Sequence, residues 1–118
     1  MERPEQRRSQ PHVVVIYWRD IPAQVTAQAG RSREKVLLPG KFQRAIARAK
    51  RKANIYTAHE DIAQWRRVSR PCSNDLTVEA SAEAARIDAS WTEAALGKLA
   101  YVGGFLAAVE QESLSPEI

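Results

Sequence analysis

The chain has 118 residues, 44% apolar and 27% charged, a composition that suits one soluble globular domain and excludes two domains or a wholly disordered chain. At this size folding buries only about two-thirds of the surface of the unfolded chain, so the core is modest and a large enclosed cavity is hard to build. The net charge of +4 hides a split, because residues 1–70 carry sixteen basic and six acidic side chains and residues 71–118 carry two and eight.

Residues 1–10 hold Pro4, Ser9 and five charges and are expected to form a flexible lead. The apolar run from His12 to Trp18 meets Arg19 and Asp20 after seven residues, too short for a signal peptide. The lone Cys72 has no disulfide partner within the chain and fits a reducing compartment, so a cytoplasmic location is expected. Val13 to Trp18, all β-branched or aromatic, predict a largely buried strand. Ile21-Pro22 predicts a bend or a sheet edge, since Pro22 has no amide to donate. Ala23 to Ala29 alternate as a second strand ended by Gly30, and residues 31–35, RSREK, predict a loop leading through Val36 to Leu38 into Pro39.

From Pro39 to Ala53 the spacing of Phe42, Ala45, Ile46, Ala49 and Ala53 predicts a helix with one apolar stripe. Its other face carries Arg44, Arg48, Lys50, Arg51 and Lys52. Thr57 and Glu60 have the spacing of a capping box for a short helix from Ala58 to about Gln64. Residues 65–70 alternate as an edge strand closed by Pro71, and residues 77–91 have high helix propensity with Glu79 and Glu83 near the start. In the last helix, from about Thr92 to Gln111, Leu96, Leu99, Val102, Phe105, Leu106 and Val109 recur at helical spacing around Gly103-Gly104. Two readings stand: a helix packed on its own domain, with the glycines allowing close approach or a bend, or one whose second apolar side, through Leu99, Val102, Phe105 and Leu106, meets another chain. Its apolar core of sixteen residues, Ala94 to Val109, is interrupted by Lys98 and falls short of the roughly 20 that a bilayer crossing needs.

The expected fold is α+β: a small, mainly antiparallel sheet of about three strands, two main helices packed on one face and an added C-terminal helix. The expected divisions are a domain over 11–91, a C-terminal helix over 92–112 and a loose tail over 113–118.

His12 and His59 stand in no metal-ligand spacing, and the adjacent Glu60 and Asp61 diverge on a helix rather than converge on one substrate atom. No phosphate-loop motif is present, so neither metal nor cofactor is expected and a non-catalytic role is favoured. The constellation of most interest is Arg19, Arg31, Arg33, Lys35, Trp65 and Arg66 at strand ends, together with Arg44 on the basic helix. Guanidinium groups beside tryptophan hold carboxylates or phosphates by forked hydrogen bonds and stacking. The plainer reading is solvated charge, with Arg19 and Asp20 paired locally.

The segment VVVIYWRDIPAQVTAQAGR, followed by KVLLPGKFQRAIARA and DIAQWRR, resembles a small bacterial family, the virulence factor domain, over roughly residues 12 to 90. Its most specific pieces are Tyr17 to Gln24, Gly30-Arg31, Leu38-Pro39 with Phe42, Ala45 and Ile46, and Trp65-Arg66. The resemblance implies no catalytic residue or cofactor. Some relatives are fused to an iron–sulfur scaffold-like domain and HEAT-type repeats, and stand-alone copies accompany corrinoid and folate methyl-transfer proteins. It therefore implies an accessory module that docks on a metabolic enzyme; it says nothing of the helix after residue 92, where the helix's own second apolar side leaves a protein partner or a second copy as the reading. Nonspecific nucleic-acid binding through the basic helix and binding of an anionic ligand at the arginines are the alternatives.

Overall fold

The computed structural model describes residues 10–109. Four strands, β1 (His12–Trp18), β2 (Ile21–Ala29), β3 (Ser32–Leu37) and β4 (Trp65–Pro71), form one sheet in the order β3-β2-β1-β4, antiparallel throughout. The helices are α1 (Gly40–Lys52), α2 (Ala58–Ile62), α3 (Leu76–Ser90) and α4 (Glu93–Tyr101).

The α+β class holds, with four strands where about three were expected. The addition is β3, where a loop was predicted at residues 31–35. The segment Ser-Arg-Glu-Lys carries no apolar alternation because β3 is an edge strand exposed along most of its length. Its pairing comes instead from a tight hairpin, in which Ala29 opposes Ser32 across Gly30-Arg31 and Gly30 takes φ 59°. Pro22 sits inside β2 without breaking the sheet, since β3 pairs only from Gln24 onward. Pro22 also lies at a bulge, where the register with β1 shifts between Ile16 and Tyr17.

Alternation along β1 separates Val13, Val15 and Tyr17 from Val14, Ile16 and Trp18. The first set faces α3, because Arg70, opposite Val13, reaches Glu83 on that helix. Helix α1 meets the sheet at β2 and packs chiefly on α4. Its Lys50 stands over the rings of Trp18 and Trp65, which oppose each other across β1 and β4. Phe42, Ala45, Ile46 and Ala49 of α1 and Leu96, Leu99 and Ala100 of α4 complete a core continuous with Ile21, Val25 and Ala27 of the sheet.

Both α1 and α4 end in the same six-residue device. Asn54, at φ 58°, and Ile55 return their amides to Arg51 and Lys50, and Gly103, at φ 80°, and Gly104 return theirs to Ala100 and Leu99. These are Schellman turns, which need a left-handed residue just beyond the helix. The continuous helix expected over residues 92–111 is therefore cut at Tyr101, and a new helical turn starts at Leu106. Residues 1–9 and 110–118, which hold most of the expected lead and tail, lie outside the described residues.

Candidate functional site

The β1–β2 turn is a hub. Arg19 occupies a left-handed conformation, φ 54°, that throws its side chain away from Asp20. Its backbone N–H donates to the Gln64 carbonyl at 2.9 Å, its Nε to Gln64 Oε1 at 2.9 Å and its Nη1 to the Gly103 carbonyl at 2.9 Å. The guanidinium lies over the rings of Phe105, at 4.4 Å, and Trp18, at 5.1 Å. Burial lowers its pKa from the usual arginine value. Asp20 faces the other way: its N–H donates to the Gly104 carbonyl, its Oδ2 accepts the Leu106 N–H at 2.8 Å and its Oδ1 pairs with Arg66 at 2.9 Å. Arg66 also donates from Nε to the Arg19 carbonyl and covers the ring of Tyr17. Arg19 and Asp20 thus do not pair with each other. Together they bolt residues 103–106 to the end of the sheet.

Beside this hub Asp61 forms a second clamp. Its carboxylate accepts from Trp18 Nε1 at 2.8 Å and Trp65 Nε1 at 3.2 Å, and pairs with Lys50 at 2.8 Å. Burial pushes its pKa up, but the hydrogen bonds from Lys50, Trp65 and Trp18 and the charge of Lys50 outweigh it and hold the group below the usual carboxylate range. Of the capping box expected before Asp61 the N-cap half forms, with Thr57 Oγ1 accepting the Glu60 N–H at 3.2 Å, while the Glu60 carboxylate accepts from the Thr57 hydroxyl rather than from its backbone N–H.

The arginines expected to gather do not come to one place. Arg19, Trp65 and Arg66 share the hub end. Arg31 lies in the β2–β3 turn, a β2 length of roughly 26 Å away at the usual rise per residue. Arg33 and Lys35 are exposed on the edge strand β3, opposite Gln28 and Thr26. Arg44 pairs with Glu93 at 3.2 Å and links α1 to α4. Of the four residues expected to meet another chain, Leu99 is fully buried inside its own domain, Val102 caps α4 half-buried, and Phe105 and Leu106 are 45% and 43% exposed. His12 is held by Gln28 and by the Gln10 carbonyl, and among the described residues no three His, Cys, Asp or Glu side chains gather to hold a metal ion. No described helix is long and apolar enough to cross a membrane.

The charge split meets itself inside the molecule. Lys41 pairs with Asp88, Arg44 with Glu93 and Arg70 with Glu83, each a basic residue of the first part and an acidic one of the second. Arg48, Lys52 and Lys98 make no ion pair among the described residues. They stand around a groove of about 520 Å³ between α1 and α4, lined by Arg48, Ala94, Gly97, Lys98, Tyr101, Val102 and Val109, with Lys52 stacked 4.5 Å over the Tyr101 ring. The groove is therefore cationic along its rim and apolar on its floor. Its far wall, Val102 and Val109, flanks the segment that Arg19 and Asp20 fasten.

Residues 16–100 match the family described as virulence factor. The chain belongs to the virulence factor family. No curated protein and no solved structure matches it. The family match takes in the Arg19-Asp20 turn, Asp61 and nearly all of α4, whereas the resemblance read from the sequence ended near residue 90. The family region thus includes both helices of the groove. Sequence reasoning missed Asp61, Gln64 and the groove. One signal for Asp61 was present: a tryptophan N–H needs an acceptor, and Asp61 lies four residues before Trp65, across the short turn that joins α2 to β4.

Proposed function

We propose that this virulence factor family member is a non-catalytic accessory module that docks on a larger protein. The observation that carries the reading is the groove between α1 and α4, where Arg48 and Lys98 rim an apolar floor that ends at Tyr101, Val102 and Val109. Interaction surfaces pair an apolar centre with a polar rim, and a rim of one sign steers association with a partner of the other. The hub gives the Arg19-Asp20 turn a role in this reading, since it fixes the segment leading to Val109. A metabolic enzyme of corrinoid or folate one-carbon chemistry is the partner class that the family resemblance implies.

The test is affinity capture with the full chain at about 0.15 M salt, where charge attraction between exposed groups beyond about 8 Å is largely screened. One protein in fixed ratio, released by the double substitution Arg48→Glu and Lys98→Glu, is the expected result. A chain that elutes alone, or with nucleic acid only, overturns the reading.

A further inference from the structure

Resting on the docking reading, we infer that the groove between α1 and α4 receives an acidic amphipathic helix of the partner. Three observations converge on that occupant. The first is charge: Lys41, Arg44, Arg48 and Lys52 recur at spacings of three and four and form one stripe along α1. Asp88 and Glu93 neutralise its first two members, so the positive potential concentrates on Arg48 and Lys52, with Lys98 across the groove. Arg48 and Lys52 stand one turn apart, the separation of carboxylates at i and i+4 on a facing helix.

The second observation is length. A smaller hollow lined in part by Lys41, Arg44 and Glu93 shares Arg48 and Gly97 with the groove, so the two form one track along α1. From Lys41 to Lys52 the track runs about 16 Å, three turns of helix and longer than a single small anion requires. The third is the floor. Gly97 and Ala94 let another backbone approach α4 closely, and the 60% exposed Tyr101 offers an aromatic face next to Val102 and Val109. A nucleic-acid backbone has no apolar side to fill such a floor, whereas an amphipathic helix presents one stripe of each kind.

The test uses a fluorescent synthetic peptide of about 15 residues, leucines on one face and glutamates on the other, long enough to be helical once bound. Its anisotropy is followed with the full chain at about 0.15 M salt. Saturable binding is expected, weakened about tenfold or more by Arg48→Glu and by Gly97→Leu, and unchanged by Arg33→Glu on β3. Gly97→Leu alters no charge and favours helix, so it fills the groove without removing the fold, which circular dichroism checks. Equal loss with Arg33→Glu, indifference to Gly97→Leu, displacement by an oligonucleotide of equal charge, or binding only after removal of residues 110–118 overturns the inference; the last outcome makes Glu110, Glu112 and Glu117 the occupants. A captured partner that survives Gly97→Leu overturns the groove and leaves docking intact, whereas no captured partner overturns docking itself.

Discussion

The indole N–H of Trp18, a side chain with no solvent exposure, ends 2.8 Å from a carboxylate oxygen of Asp61, forty-three residues away. This bond ties the most buried end of β1 to a helix of five residues that buries none of its own side chains. Helix α2 has little reason to stay in place apart from such polar ties, because so short a helix is marginal alone. Asp61 therefore acts as the peg that fixes α2, Trp65 and Lys50 around Trp18.

Asp61→Ala leaves a buried N–H without an acceptor and Lys50 without its partner. A loss of about 1–3 kcal/mol is expected, read as a lower urea midpoint by tryptophan fluorescence. Asp61→Asn keeps one acceptor oxygen and costs less. An unchanged midpoint for Asp61→Ala removes the peg from the argument.

Acid lability follows from Asp61 and Glu83. Glu83 is only 4% exposed, and burial raises its pKa, but hydrogen bonds and charge from Arg70 and Arg86 prevail and hold it below the usual carboxylate range. A carboxylate whose native pKa is depressed binds fewer protons folded than unfolded. Its contribution is complete above the unfolded value, about 4, and is lost as pH falls through the lower native value. Asp61→Asn and Glu83→Gln are each expected to flatten the decline of stability below about pH 4, and an acid limb identical to wild type contradicts the assignment.

Two glycines respond in opposite directions to alanine. Gly104 sits at φ 95°, and an added Cβ lies 3.3 Å from the Trp18 ring, so Gly104→Ala is expected to cost about 1–3 kcal/mol. In helix α4, Gly97 has only the Arg48 Nη1 atom near its missing Cβ, at an ordinary 3.6 Å. Gly97→Ala gains up to about 1 kcal/mol of helix propensity and is expected to raise Tm. Thermal unfolding of both variants decides, and the same sign for the two refutes the contrast.

Asp20→Ala removes the acceptor of the Leu106 amide and the partner of Arg66. Hydrogen exchange at Leu106 is expected to accelerate by about tenfold or more, with exchange in the middle of β1 unchanged. Acceleration throughout the sheet instead makes Asp20 a global stabiliser rather than a local fastener.

Cys72 is half-buried, and desolvation, aided by Glu79, pushes its thiol pKa up despite Arg70. The thiol is therefore expected to react with iodoacetamide at neutral pH more slowly than a free cysteine in solution. Alkylation at the rate of the free amino acid overturns that placement.

Legibility followed burial. Val13 to Trp18 announced β1 because a central strand is apolar on both sides, and the stripe from Phe42 to Ala49 announced α1 because one face meets the core. Strand β3 was silent, since Ser32 to Lys35 offer no apolar residue to read, whereas the other edge strand, β4, carries Trp65 and Val68. Gly103-Gly104 marked a break, but its form as a Schellman turn depended on Leu99 and Ala100 already being anchored. At the candidate site the residue types were visible while their partners were not. Arg19 and Asp20 sit side by side in the chain, yet the left-handed turn sends one to Gln64 and Gly103 and the other to Arg66 and Leu106.

Local sequence by itself determined the α+β class, the core strand, the basic helix and the charge split, because periodicity and charge are properties of neighbouring residues. Only the tertiary structure decided where that charge is spent. Lys41, Arg44 and Arg70 find acids on α3 and α4 through contacts forty-nine residues apart or closer, and three cations without such a partner among the described residues, Arg48, Lys52 and Lys98, collect at one groove. Coulomb energy depends on distance in space, and chain order sets that distance only after the sheet and helices have closed on each other.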